Sequence, residues 1–170
     1  YLQRQQGGRG VLMSGLPGVK QARVVILGGG VVGAEAARIA IGMGAAVTIL
    51  DINSQRLKEL RAMFSPGIEL LMSNPQSISF STRHADLVVG AVLSPNKRAP
   101  KVLLAEHVSQ MQKGSIIVDV SVDQGGCVET MRTTSHSEPV FSVNGVIHYG
   151  VPNMPGLVPR TSTLALNKCT

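Results

Sequence analysis

The 170-residue sequence predicts an α/β fold, a doubly wound parallel sheet with helices on both faces. Three observations carry that expectation. Short β-branched and aliphatic runs recur along the chain, separated by segments with helical spacing. The runs are apolar without alternation, the pattern of strands covered on both sides. The first of them stops at a glycine cluster that opens the next helical segment. Strand alternating with helix means parallel pairing through right-handed crossovers.

Taken in order, residues 1–22 are rich in Gly and Gln, with Gly7-Gly8, Gly15 and Leu16-Pro17-Gly18. They read as a lead-in of turns and a short helix. Residues 23–160 then form the domain proper. Arg23 to Leu27 is a buried strand, and Val31 to Met43 is a helix rich in Ala, able to approach a sheet closely. Gly42 and Gly44 stop it. Val47 to Leu50 is a second strand ending at Asp51. Ser54 caps a helix running to about Phe64, ended by Pro66-Gly67. Ile68 to Met72 is a third strand, and residues 73–83 show no clear periodicity. Asp86 to Val92 is a strand leading into the polar loop from Ser94 to Pro100. A helix from Lys101 to Gln112 follows, then a strand from Ser115 to Val120. Val140 to Val143 and Val146 to Tyr149 add one or two strands. Thr161 to Leu166, within the segment 161–170, reads as the start of a helix.

Composition removes several classes of function. Hydrophobic residues make up 44% and charged residues 15%, outside the range of disordered chains. No apolar run reaches the roughly 18 residues that span a bilayer, so no membrane partner is expected. The net charge of +6 raises the question of nucleic acid. The basic residues are scattered, however, and aromatic residues are 3% with no Trp, so a base-stacking platform is not expected. A basic surface on a domain that binds an anionic nucleotide is the plainer account. Cys127 and Cys169 make no disulfide framework and have no metal-ligand spacing. With so few cysteines a reduced, cytosolic compartment is expected, and no metal site. His84, His107, His136 and His148 never stand at i, i+4 and read as surface or loop residues.

The turn Gly28-Gly29-Gly30-Val31-Val32-Gly33 matches the dinucleotide-binding fingerprint in context as well as in letters. A strand precedes it, a helix follows it, and a second strand ends in an acid 18 residues after Gly33. Gly28 permits the tight turn, Gly30 lets backbone approach a pyrophosphate, and Gly33 lets helix and strand pack closely. Free N–H groups and the helix dipole at Val31-Val32 favour the anion. Asp51 suits hydrogen bonding to ribose hydroxyls and would repel a 2′-phosphate, so a Rossmann-type unit preferring NAD to NADP is expected. Arg56, five residues on, reads as a solvated helix residue.

The glycine turn names a cofactor and not a reaction. Other motifs carry a resemblance. Gly7 to Leu12, the turn itself, Leu50-Asp51-Ile52-Asn53, Asp86 to Leu93, Val122 to Cys127 and Val151 to Thr163 together resemble the alanine dehydrogenase family. The likeness spans essentially the whole chain, and the last two motifs are its specific part. It implies reversible NAD-dependent oxidative deamination of L-alanine to pyruvate and ammonia. It also implies that Asp51 and Ser73 lie near the adenosine end, and that Ala91, Val92 and Leu93 line the cofactor cleft. Val120, Asp123, Val151 and Met154 would surround the nicotinamide ribose and ring, with Asn153 facing the substrate. A homo-oligomer, a hexamer in the family, is implied as well. The transhydrogenase family shares fold and turn and is the second reading, as its NAD(H)-binding domain. A non-catalytic nucleotide-binding module is the third.

Residue chemistry agrees in part. Oxidising an amino acid needs a group that handles protons on amine, imine and attacking water. Asp123, just past a strand's carboxyl end, can orient a water or ammonia. Equally, it can cap the Gly125-Gly126 turn. Met154 can equally be core filler, and Cys127 is expected to pack rather than react. In the family, a second domain built from both chain ends grips the substrate carboxylate with cationic side chains and supplies an acid–base histidine. No such substrate domain is visible here, so these residues are expected to bind NAD while turning over alanine poorly or not at all.

Overall fold

The computed structural model describes residues 1–64, 67–94 and 98–169. The expected helix stop at Pro66, the centre of the polar loop (95–97) and any pairing of the Cys169 side chain lie outside the described residues. Among the described residues seven strands form one sheet: β1 (Arg23–Leu27), β2 (Ala46–Asp51), β3 (Ile68–Met72), β4 (Leu87–Gly90), β5 (Ile116–Asp119), β6 (Val140–Val143) and β7 (Val146–Tyr149). Their order is β3-β2-β1-β4-β5-β7-β6. All neighbours pair parallel except β6 and β7, a hairpin that puts one antiparallel strand on the edge. Asn144 and Gly145 both have positive φ there, as a two-residue hairpin turn requires.

Helices α1 (Val31–Gly42) and α2 (Ser54–Phe64) lie on one face, and α3 (Pro75–Arg83) and α4 (Ala105–Gln110) on the other. Alternate residues of β1 show both faces filled. Val24 and Ile26 join Ala34, Ala37, Ala40 and Leu60 in one core, while Val25 and Leu27 join Ile78, Leu103 and Val108 in the second. Burial on both sides removes the polar alternation and explains the continuous apolar runs. At the ~25 cal/mol per Å² of buried apolar surface, these two cores supply the main favourable contribution to folding.

Several boundaries differ from expectation. Ser54 opens α2 but Asn53 caps it, its Oδ1 accepting from the N–H groups of Gln55 and Arg56 at 3.0 and 3.1 Å. Residues 75–83, within the stretch 73–83 that shows no clear periodicity, form α3. Asn74 and Ser77 close a reciprocal capping box, and Pro75 fills the first turn, where its missing N–H costs nothing. The helix expected from Lys101 begins only at Ala105, because Val102 and Leu103 donate to the Cys127 carbonyl and Leu103 bridges Val128. The last helix, α5 (Pro159–Cys169), starts two residues before Thr161, again with Pro in its first turn.

Two histidines are not at the surface. His148 is fully buried, with Nδ1 2.9 Å from the Val146 carbonyl and Nε2 2.8 Å from Thr130 Oγ1. His107 is buried, and its Nδ1 accepts from Leu104 N–H. In both, a local backbone partner satisfies the ring and makes burial possible. His84 and His136 are exposed, as expected.

The lead-in 1–22 is tied to the amino end of the sheet. The Arg9 guanidinium pairs with buried Asp86, whose other carboxylate oxygen accepts from Arg23 N–H at 2.8 Å. Among the described residues no helix is long and apolar enough to cross a membrane.

Candidate functional site

Every strand but β6 points the same way, so their carboxyl ends share one edge. β1 and β4 are the adjacent strands whose connections leave in opposite directions, the switch point where α/β sheets bind ligands. A cleft of about 370 Å³ opens there. One wall is the glycine turn, with Gly28, Gly30, Val31 and Val32. The end of β2 supplies Leu50, Asp51 and Ile52, and Ser73 follows β3. The opposite wall is Ala91, Val92 and Leu93 after β4, closed by Pro100 and Val102. Val31, Ile52 and Leu93 are strongly exposed at this site, an apolar rim suited to a flat ring.

The glycines divide by what surrounds them. Gly28 has φ +99, and a Cβ on it would lie 2.6 Å from the Ala91 carbonyl. A Cβ on Gly33 would stand 1.9 Å from the Gly28 carbonyl, so that contact admits no side chain. A Cβ on Gly30 would meet no atom within 4 Å. Nothing in the protein requires that glycine, and the open space before it is where a phosphate would approach. No side chain caps α1, which leaves its positive N-terminal end facing the cleft.

Asp51 is doubly engaged. Its Oδ2 accepts from Gly29 N–H at 2.7 Å and its Oδ1 from Asn53 N–H at 2.8 Å. Each carboxylate oxygen keeps a further lone pair for a ribose hydroxyl. Arg56 is not merely solvated: its Nε donates to the Gly29 carbonyl at 2.6 Å and its Nη1 pairs with Glu59. Gly29 is thus held at both its N–H and its carbonyl, a role for Arg56 that spacing alone could not assign. Gly29 is itself confined, since a Cβ there would lie 2.6 Å from Leu60 Cδ1.

A second group sits at the same sheet edge, beyond β5 and β7. Asp123 lies in a 3₁₀ turn, Val122–Gln124, and its Oδ2 accepts from Asn153 N–H at 3.2 Å. Asn153 has φ 50, a left-handed conformation that Asn tolerates better than most residues. Val151 is buried, Met154 is half-buried in a 3₁₀ turn, and Val120 packs against the α1 side of the core. Neither these residues nor Gly33 line the cleft, whereas Gly28, Gly30, Val31, Val32, Asp51, Ser73, Ala91, Val92 and Leu93 do.

Asp123 does not cap the Gly125-Gly126 turn. Asp119, at the end of β5, serves that loop instead and is fully buried. Its Oδ1 accepts from the N–H and hydroxyl of Ser121 at 3.0 and 2.9 Å, and its Oδ2 from Val128 N–H at 3.0 Å. The Cys127 thiol also points at it, 3.6 Å away. Burial, with the Asp119 charge beside it, pushes that thiol up to about 11, so Cys127 packs as a neutral group. Among the described residues no cluster of His, Cys, Asp and Glu could hold a metal ion.

A glycine turn braced by an acid, on the switch point of a mostly parallel sheet, defines an α/β domain of the Rossmann-type dinucleotide-binding class. The chain belongs to the alanine dehydrogenase/PNT C-terminal domain family, whose model matches residues 1–170. It is 54% identical to the alanine dehydrogenase of Methanococcus maripaludis, covering 100% of this chain and 46% of that protein. A solved L-alanine dehydrogenase superposes with a TM-score of 0.96 at 60% identity, covering 98% of this chain and 46% of the other. The transhydrogenase structure from Sinorhizobium meliloti gives 0.76 at 25% identity, covering 86% and 41%. The chain therefore spans about half the length of the relatives it matches.

Proposed function

We propose that this chain is the NAD-binding domain of an NAD-dependent L-alanine dehydrogenase, which interconverts L-alanine with pyruvate and ammonia. The observation that carries the reading is the Gly28–Gly33 turn, braced by Asp51 and open before Gly30, at the mouth of the cleft. The residues present fit a dinucleotide. The N-terminal end of α1 and the backbone at Gly30 would hold the pyrophosphate, and the spare lone pairs of Asp51 the adenosine ribose, with Ser73 beside it. Ala91, Val92 and Leu93 would carry the cofactor across the sheet toward Val120, Val151 and Met154. NAD supplies the hydride acceptor when bound.

Asp123 would act at the substrate end, orienting a water or ammonia and accepting a proton. Asn153, held beside it, would face the substrate. The clamp for the α-keto acid's carboxylate would come from the rest of a longer protein, in keeping with the 46% of the relatives' length that this chain covers. On this reading residues 1–22 are the lead-in, 23–160 the NAD-binding domain, and 161–170 the start of a C-terminal helix, with the substrate domain lying outside this chain. The parent protein would be a cytoplasmic homo-oligomer, a hexamer, serving alanine catabolism. The transhydrogenase reading has a structural neighbour in its favour, but at 25% identity against 60%.

Calorimetric titration of the 170-residue chain tests the proposal. NADH should bind, NADPH more weakly, and alanine or pyruvate should add no heat. Absence of NADH binding overturns the cofactor reading. Steady NADH production from alanine by this chain overturns the division of labour between domains.

A further inference from the structure

Asp119 is the most deeply buried carboxylate described, and its position invites a question of purpose. Among the described residues no cation lies within ion-pair distance of it. Four donors converge on it instead: Ser121 N–H, the Ser121 hydroxyl, Val128 N–H and the Cys127 thiol. Burying an ionised carboxylate is costly even when it is well bonded, and an apolar residue would pack the end of β5 at lower cost. The donors themselves show what the charge holds. All of them come from residues 121–128, the loop that contains Asp123.

The connection to Asp123 is short. Ser121 gives Asp119 its N–H and hydroxyl, while its carbonyl accepts from Gln124 N–H at 2.9 Å and Gly126 N–H at 2.9 Å. Those two bonds close the turn in which Asp123 is the central residue. A second brace comes from outside the loop. Lys101 Nζ donates to the carbonyls of Gly125 and Val128 at 2.6 and 3.0 Å. Gly126, with φ +71, lies between the two braces: a Cβ there would be 2.7 Å from Asp119 Oδ2 and 3.7 Å from Lys101 Nζ.

We propose that Asp119 is a positioning residue for Asp123: through Ser121 it sets the turn that presents the Asp123 carboxylate to the Asn153 amide. The catalytic meaning of this placement rests on the role proposed above for Asp123, but the placement itself is tested without cofactor or substrate. The readout is the Asn153 amide resonance in ¹H–¹⁵N spectra of the chain, assigned beside its Asp123→Ala variant.

In Asp119→Asn, an amide donor replaces one acceptor and faces the donors of the loop. The Asn153 amide should move upfield to where Asp123→Ala puts it, while the Gly29 amide, bonded to Asp51, stays in place. Ser121→Ala removes a single bond and should give a partial shift in the same direction. An Asn153 amide unmoved in folded Asp119→Asn overturns the proposal. Displacement of Gly29 together with Asn153 also overturns it, since that would mark general loosening. If Asp119→Asn does not fold, an unmoved Asn153 in Ser121→Ala is the overturning result. Failure of the wild-type chain to bind NADH would defeat the cofactor reading and leave this result standing.

Discussion

The Oδ2 of Asp51 and the N–H of Gly29 are 2.7 Å apart, so the acid at the end of β2 is a structural partner of the glycine turn. The same residue lines the cleft, so on the proposed reading two functions fall on one side chain. Asp51→Ala should lower stability by about 1–2 kcal/mol, because the Gly29 and Asn53 N–H groups lose their acceptor. It should also weaken NADH by roughly tenfold or more and narrow the preference over NADPH, since the charge that repels a 2′-phosphate is gone. Urea denaturation gives the first quantity and calorimetry with both cofactors the second. An unchanged NADH affinity would remove Asp51 from the binding site.

Gly33 and Gly30 should separate in the same assays. Gly33→Ala places a methyl 1.9 Å from the Gly28 carbonyl, forcing α1 away from β1. The loss should exceed about 2 kcal/mol, the scale of severe overpacking. Gly30→Ala meets nothing within 4 Å in the protein, and its stability should stay within about 0.5 kcal/mol of wild type. Its NADH affinity should nevertheless fall, because the added methyl occupies the approach to the backbone. Equal affinities for wild type and Gly30→Ala would show that no ligand uses that space.

His148 gives the stability an acid-side slope. Burial lowers its affinity for protons below the ordinary 6.5, so the unfolded state binds the proton more tightly than the folded one. Unfolding is then favoured as pH falls below 6.5, and the slope ends once pH passes below the folded-state value. Well above 6.5, at roughly pH 7.5 and higher, the residue is essentially neutral in both states and contributes little slope. Urea midpoints at pH 7.5 and 5.5 should show the loss, and the His148 imidazole should titrate with a midpoint below that of a free imidazole. A His148 titration midpoint at 6.5 or above would refute the assignment.

Cys127 should resist alkylation in the folded protein. Its thiol is buried and stays protonated until about 11, and only the thiolate reacts at a useful rate. Iodoacetamide at pH 8, followed by peptide mapping, should leave Cys127 unmodified until denaturant is added. Rapid native labelling of that peptide would show that the loop opens.

The strands were legible because burial on both faces leaves long apolar signatures: Arg23–Leu27 appears in the sequence with the bounds it has in the structure. α3 was not, since its residues include Ser77, Ser79, Ser81 and Thr82 and only Ile78 and Thr82 are buried. Its one clear signal was Asn74-Pro75, a capping residue followed by proline. α4 is shorter than its spacing predicts because Lys101, Val102 and Leu103 are claimed by the 121–129 loop, a pairing no local pattern encodes. The site was half legible. Gly28, Gly30 and Asp51 announce themselves by spacing, but Pro100 and Val102 reach the cleft through a fold-back. Asp119, inside the strand expected from Ser115 to Val120, has no local signal, because its donors are set by how a loop returns over it. Arg56 was undervalued for the same reason: its acceptor lies 27 positions earlier.

The common direction of the strands gives the sheet a working edge and a bearing edge. Cofactor contacts would gather at the carboxyl ends, while the Arg9–Asp86–Arg23 junction secures the amino ends. The two edges answer to different demands. On the proposed reading, variation at Ile52, Ser73 or Leu93, which line the cleft, would retune what the protein holds without touching what keeps it upright. A change at Asp86 would do the opposite. Redesign of cofactor choice therefore has a bounded field of play, confined to the tips of the strands.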